Sequence, residues 1–319
     1  MKKEKINRSP LFYVGDKYKL VKEIKAYFPT TINRFIEPFV GGGSIFLNVN
    51  ANEYLLNDIN KYVIDVHKFL HSYSGNDTAF FDLIFSIINK YKLSCSYKKD
   101  MIPAELKQQY KKTYYAHFNK EMFNKLKSDY NQSENRNIAM LYVLIIYGFN
   151  RMLRFNGSND YNLPVGNVDF NTNVYHALSD YFSLNINRKT SWFCQDYKAF
   201  LQSIDYQRDD FIYLDPPYLI TFSEYNKLWN EQTEIELLHT LDDLNRKNVK
   251  FAISNVTYYK GRENEQFINW SKQFNIYPVK SNYISYHDNT IKKFNEVLVT
   301  NFIYSERRSQ TKVGFNIHR

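Results

Sequence analysis

The stretch FIYLDPPYLITF, residues 211–222, is an apolar run that stops on an acid, two prolines and a tyrosine. Pro216 and Pro217 lock φ and carry no N–H, so the loop keeps fixed carbonyl acceptors. Asp215 adds a carboxylate and Tyr218 a flat ring. An exocyclic amino group on a nucleobase matches these parts. Its nitrogen is a poor nucleophile, because the lone pair is delocalised into the ring. Acceptors for both hydrogens, the Asp215 carboxylate and the Pro216 carbonyl, draw that nitrogen toward tetrahedral geometry. The lone pair is then available to attack an electrophile held in line at near-attack distance. Tyr218 is placed to stack on the base, and a duplex base must leave the helix to reach such a site. The plain alternative is a strand-ending turn capped by Asp. A metal role for Asp215 is not expected, since no neighbouring acid or His completes a ligand set.

A second constellation lies earlier. EPFVGGGS, residues 37–44, puts three glycines between a strand and a helix. Such a turn lets backbone approach a ligand closely. No Lys comes after the glycines as in a phosphate-binding P-loop. Position 46 is Phe, so the third glycine of a dinucleotide turn is missing. A turn with no basic residue suits a ligand without phosphates. S-adenosylmethionine (AdoMet) has a ribose, an adenine and a charged amino acid, and no phosphate. Asp58, in NDIN after the next strand, is placed to accept from ribose hydroxyls.

The elements that must position these groups can be read from periodicity. Strands are expected at 34–39, 54–58, 191–196, 210–215, 249–255, 275–285 and 295–304, and helices from Ile45 and over 61–71, 232–247 and 263–274. Strands alternating with helices give a largely parallel wound sheet. From about Asp77 to Asn137 the pattern is helical, polar and Lys-rich. The apolar run 138–149 is too short to span a bilayer and reads as a buried helix. Residues 150–167 carry the Gly, Asn, Asp and Pro of a loop or hairpin. The stretch therefore reads as an inserted second domain.

Composition sets the bounds. The chain has 319 residues, 44% hydrophobic and 18% aromatic, with a formal net charge of +9. That is enough for one large α/β domain with an insertion, and the charge suits a polyanionic partner. The alternative is compositional drift toward Lys. Cys95 and Cys194, the only two cysteines, are far apart with no Cys/His cluster, so neither a disulfide framework nor a zinc site is expected. A reducing cytoplasm fits, and MKKEKINRSP has no apolar core of a signal peptide.

In order, PFVGGGS, NDIN, RFNGSNDYNLPVG, DPPY and NEVLVTN resemble the Dam-type (D12 class, α group) DNA adenine-N6 methyltransferases. The resemblance runs from about Leu11 to Phe302. It implies an α/β fold: a Rossmann-like AdoMet-dependent methyltransferase sheet of seven strands, the last antiparallel, with an inserted, mostly helical target-recognition domain. Residues 1–72 and 168–319 would form the AdoMet-binding catalytic domain, and 73–167 the recognition domain with its DNA-reading hairpin. Phe39, Gly41 and Gly43 would line the AdoMet pocket, Asp58 would hold the ribose, and Asp196 would lie near the cofactor adenine. Asp215, Pro216, Pro217 and Tyr218 would form the catalytic loop. YVGDKYKL, residues 13–20, resembles the family's aromatic-x-Gly-Gly-Lys element through Tyr13, Gly15 and Lys17, with Asp16 where a second Gly is usual. Phe149, Asn150 and Arg154 match the hairpin residues that enter the duplex and read a base, and Arg151 stands where many members have Gly. Arg154 is a reader of guanine or a phosphate contact. Lys292 and Lys293 are phosphate-contact candidates.

The expected activity is methyl transfer from AdoMet to N6 of a flipped-out adenine in a short duplex site, GATC being the first guess, with no metal. Double-stranded DNA is the expected partner, with a cognate restriction endonuclease or a solitary role both open, no membrane, and a monomer in the cytoplasm. Two rivals stand: an RNA adenine methyltransferase with the same chemistry, and a catalytically silent DNA-binding protein of this fold. A P-loop ATPase lacks its Lys.

Overall fold

Strand residues alternate between the faces of a sheet. In Phe211–Leu214, Phe211 and Tyr213 enter one buried cluster while Ile212 and Leu214 enter another. The same split divides Phe35 from Ile36 and Ala252 from Ile253. A sheet covered on both faces must be built of strands that read as continuous apolar runs, as these do.

The computed structural model describes residues 5–221, 229–279 and 294–303. Its strands are β1 (Arg34–Glu37), β2 (Glu53–Asn57), β3 (Lys189–Phe193), β4 (Phe211–Leu214), β5 (Lys250–Tyr259), β6 (Arg262–Glu263), β7 (Asn275–Val279) and β8 (Phe294–Thr300). They lie in the order β3-β2-β1-β4-β5-β8-β7. β1 to β5 pair in parallel, and β8 runs antiparallel to both β5 and β7. The seven-strand sheet with a reversed last strand is thus as expected. The two-residue β6, which folds back on β5, is an addition.

One face is covered by helices Lys61–Ser72, Asp77–Lys90, Ile138–Tyr147 and Thr172–Asn185, whose apolar residues share a cluster with Phe35 and Tyr213. The other is covered by Tyr197–Gln202 and Glu231–Arg246. Ile138–Tyr147 is the apolar run seen in the sequence; eight of its ten residues are buried, and Asn137 caps it by accepting from the N–H groups of Ala139 and Met140. Among the described residues no helix is long and apolar enough to cross a membrane.

The helix expected from Ile45 is a single 3-10 turn, Phe46–Asn48. The reason is length: β2 begins at Glu53, and the chain must already turn back along the sheet. Asn48 ends the turn, its amide donating to the Ser44 and Asn7 carbonyls.

Candidate active site at the carboxyl ends of the central strands

β1 has β2 on one side and β4 on the other, so strand order reverses around it. In open α/β sheets the crevice beyond the carboxyl ends at such a reversal is where ligands bind. The glycine turn leaves β1 there, and Asp215 comes directly after β4 beside it. The parallel register Phe35↔Phe211 and Ile36↔Ile212 keeps the two strand ends level.

Asp215 is engaged at both oxygens. Oδ2 lies 2.8 Å from Lys17 Nζ, and Oδ1 accepts from the Tyr218 hydroxyl at 2.7 Å. The same hydroxyl is 3.0 Å from Glu296 Oε1, which lies 3.6 Å from Lys17. Lys17 Nζ also stands 4.9 Å from the centre of the Tyr218 ring. One cation thus holds two carboxylates and one face of the tyrosine. Glu296 is buried, and burial pushes its carboxyl above the usual range, with Lys17 opposing. Thr221 closes the loop, its N–H and hydroxyl both donating to the Tyr218 carbonyl at 3.1 Å.

The glycine turn is packed from outside and below. A Cβ on Gly42 would lie 2.6 Å from Tyr13 Cβ, so this glycine admits the N-terminal segment that carries Lys17. Gly43 has φ +76°, and its Cβ would strike the Phe46 ring at 2.3 Å. Asp58 accepts from the Gly41 N–H at 3.0 Å through Oδ2 and from the Asn60 N–H at 2.9 Å through Oδ1, and burial pushes its pKa up to about 6. His67 Nε2 bonds the Gly41 carbonyl at 2.8 Å, and its ring stacks on Trp192 with centroids 4.6 Å apart. Burial pulls its pKa down to about 4, so at neutral pH it is an uncharged prop that donates through Nε2. Asn57 ties three strand ends together, donating to the Pro38 and Gln195 carbonyls and accepting from the Gln195 N–H.

Glu37, the last residue of β1, is buried, and its Oε2 has no hydrogen-bond partner. Burial, then the charge of Asp215, drives its carboxyl well above the usual range, and Asp58 adds to the shift. It therefore lies within electrostatic reach of both acids, an acceptor awaiting a donor. On the opposite wall Phe39 packs on Tyr197 and Trp229, with centroids 5.3 and 5.8 Å away. The Trp229 indole N–H is fixed by buried Glu234 at 2.9 Å.

The structure brings Tyr13, Lys17, Phe39, Gly41, Gly43, Asp58, Asp215, Pro216 and Tyr218 to one crevice. Pro216 is buried and Pro217 half-buried. Gly15 is exposed with φ +82° and nothing near its missing Cβ, so it shapes the turn before Asp16 and Lys17. Asp196 caps helix Tyr197–Gln202, accepting from the N–H groups of Lys198 and Ala199. Phe149 is 50% exposed, which rules out core packing for it. Arg154 is half-buried and steadied by Asn162, its Nε donating to Oδ1 at 2.9 Å. Lys292 and Lys293 fall outside the described residues. Glu37, Gly42, Asn57, His67, Trp192, Glu234 and Glu296 were not singled out in the sequence. Five of them, Glu37, Asn57, His67, Glu234 and Glu296, had a signal: a charged or polar residue at an inward position of an apolar pattern. Among the described residues no group of His, Cys, Asp and Glu is arranged to hold a metal.

The family model for D12 class N6 adenine-specific DNA methyltransferases matches residues 13–284. Type II methyltransferase M.FokI of Planomicrobium okeanokoites is 35% identical over 304 residues, 92% of this chain and 43% of that protein. Modification methylase StsI of Streptococcus sanguinis is 32% identical, covering 94% of this chain and again 43% of the relative. The DNA adenine methylase of Escherichia coli (strain K12) is 26% identical over 92% of this chain and 95% of its own length. The chain thus spans less than half the length of the first two relatives.

Proposed function

Since the chain belongs to the D12 class of N6 adenine-specific DNA methyltransferases, we propose that it methylates N6 of an adenine rotated out of duplex DNA, with AdoMet as donor. The observation that carries this reading is the position of Asp215 and Tyr218 beside the glycine turn, at the reversal of strand order. Residues 1–72 with 168–319 are read as the catalytic part and 73–167 as the recognition part.

The residues present fit AdoMet. Glu37 offers a buried, unpartnered carboxyl oxygen beside the turn, suited to a donor such as the ligand's ammonium group. Asp58 keeps a second lone pair on each oxygen for ribose hydroxyls. Phe39, Tyr197 and Trp229 offer an aromatic wall, with Asp196 at its edge. Gly41 and Gly43 shape the turn, Tyr13 packs on it, and Gly15 bends the segment that carries Lys17. When bound, AdoMet supplies a methyl group on a positively charged sulfur, the electrophile of the reaction.

Asp215 and the Pro216 carbonyl accept the two hydrogens of the adenine amino group, and Pro217 holds that carbonyl in place. Each Asp215 oxygen keeps a second lone pair for that hydrogen, and accepts it more strongly once a present partner leaves. Tyr218 is the one able to go, because Glu296 accepts the same hydroxyl at 3.0 Å. Lys17 stays and balances the two carboxylates. With one ring face toward Lys17, Tyr218 presents the other to the base. Transfer of the methyl group from sulfur to nitrogen would free one amino proton, which Asp215 or water would take.

Phe149, Asn150 and Arg154 carry recognition, with Arg151, Lys292 and Lys293 on the DNA backbone; GATC is the first sequence to test. A paired restriction endonuclease, a monomeric state and a cytoplasmic location belong to the same reading. The test is transfer of labelled methyl from AdoMet to unmethylated duplex DNA, with RNA in parallel. Asp215→Ala is expected to abolish transfer while AdoMet binding persists. Full turnover by that variant, or transfer to RNA alone, overturns the reading.

A further inference from the structure

A cavity of about 460 Å³ lies between the N-terminal segment and the base of the hairpin. Arg8, Phe12, Phe149, Asn150, Arg151 and Asn173 are among its walls. Phe12 immediately precedes Tyr13, which packs on the glycine turn, so the cavity adjoins the candidate active site without being part of it.

Two cations converge here on one ring. The Arg151 guanidinium lies 4.0 Å from the centre of Phe12 and that of Arg8 4.6 Å from it. The ion pairs among the described residues include neither arginine. Asp16 acts on Arg8 only at longer range. Asp169, the acid nearest Arg151 in effect, is already bonded by the Ser96 N–H and hydroxyl. Burial, with Arg8 adding to it, pulls the Arg151 pKa down to about 10, so positive charge is held here at a cost. An aromatic seat attracts a guanidinium face and leaves its N–H edges free to donate.

The backbone is strained at the same place. Phe12, Asn150 and Arg151 have φ of +48°, +52° and +53°. Three of the eight non-glycine residues with positive φ among those described line this one cavity. Such backbone is costly outside glycine, less so for Asn, and such strain gathers where a ligand is gripped.

We propose that this cavity is a backbone clamp, in which Arg8 and Arg151, seated on Phe12, grip one sugar-phosphate unit of the DNA beside the target base. The volume exceeds the needs of a bare phosphate. Two planar forks meeting at one point suit a phosphodiester, which offers several acceptor oxygens at once. The clamp rests on the reading of the chain as a DNA methyltransferase.

The test is binding of the full chain to two fluorescent duplexes, one with the methylated motif and one with it scrambled, across a salt series. Arg8 is exposed, so Arg8→Gln removes its contact with the Phe12 ring and leaves the buried core intact. Both R8Q and the R8Q/R151Q double variant are expected to bind the two duplexes equally more weakly, by about tenfold for the double. The slope of log K against log salt should fall by about 0.9 in the double variant, the release of one phosphate's counterion. The charge-conserving R8K/R151K variant should retain that slope. Loss confined to the motif duplex would mean base reading, and unchanged binding would mean internal packing only; either overturns the clamp. If the double variant does not fold, by circular dichroism, R8Q alone decides by the same criteria. A wild-type chain that binds no DNA would instead refute the parent reading.

Discussion

Lys17 offers the sharpest test of the charge arrangement around Asp215. Its ammonium is buried, 2.8 Å from Asp215 and 3.6 Å from Glu296, and the two acids share the Tyr218 hydroxyl. At an effective dielectric of about 20, the shorter contact alone is worth about 6 kcal/mol, part of it offset by desolvation of the cation. Lys17→Met leaves two carboxylates facing each other without compensation. Removing one partner of a buried pair costs about 3–5 kcal/mol. At ~2 °C per kcal/mol for a chain of this length, the thermal midpoint should fall by roughly 6–10 °C at pH 7.5. Glu296→Gln should return part of that loss in the K17M background, with a coupling of about 1 kcal/mol or more in the double-mutant cycle. The pH dependence has a fixed sign. The Glu296 pKa is raised in the folded state, so its ionised form costs stability at neutral pH, and the cost is relieved as pH falls through that raised value. The gap between wild type and K17M should therefore shrink as pH is lowered. Thermal unfolding followed by circular dichroism measures all of it. Additive single effects, or a gap that ignores pH, would refute the shared-cation account.

The tyrosine and the turn give further tests. Tyr218→Phe keeps the ring and loses only the hydroxyl shared by Asp215 and Glu296, so methyl transfer should fall less than about tenfold. Tyr218→Ala also loses base stacking, worth about 1–3 kcal/mol, and should fall about 10- to 100-fold further in single-turnover assays. Asp58 has its pKa raised to about 6, so AdoMet affinity by calorimetry should strengthen as pH rises through 6, and Asp58→Asn should flatten that rise. His67 is depressed to about 4 from an ordinary 6.5, so its stabilisation is complete above 6.5 and lost as pH falls toward 4, by up to about 3 kcal/mol. A His67→Phe variant should lack that component of the acid limb in pH-dependent unfolding. Gly43→Ala should destabilise the fold by more than 1 kcal/mol in urea titration, since φ is positive and the Phe46 ring blocks its Cβ.

Much of the fold and the site was legible in the sequence, and the exceptions have physical causes. Alternation located the central strands because a sheet buried on both faces leaves a continuous apolar trace. DPPY and the glycine turn were legible because each departs from what a strand end needs. The props were not, because each is one polar residue inside an apolar pattern. Glu296 shares its strand face with Leu298 and Thr300, all buried, and lies 78 residues from Tyr218 in the chain. His67 comes after Val63 and before Leu70 on the buried stripe of its helix. An ionisable residue at an inward position must find a partner, and periodicity shows that the need exists without showing where the partner lies. The missing helix after Ile45 is the converse case: the local pattern permitted one, and the short path to β2 left no room.

The division of labour in the molecule rests on the same physics. The rigid sheet fixes Asp215 and the glycine turn through parallel registers that leave little freedom at the strand ends. The N-terminal segment is what adds charge, bringing Lys17 to Asp215 and Glu296 and Arg8 to the neighbouring cavity, nine residues apart. Tyr13 joins the two ends of that segment by lying against Gly41 and Gly42. A DNA strand gripped at Arg8 would therefore pull on the segment that holds Lys17, and through Lys17 on the partners of Asp215. On that reading, substrate engagement and release of the Tyr218 hydroxyl to Glu296 would be coupled by a short stretch of chain. Arg8→Gln should accordingly lower the single-turnover rate at saturating DNA as well as affinity. A rate equal to wild type at saturation would show that the grip and the chemistry are independent.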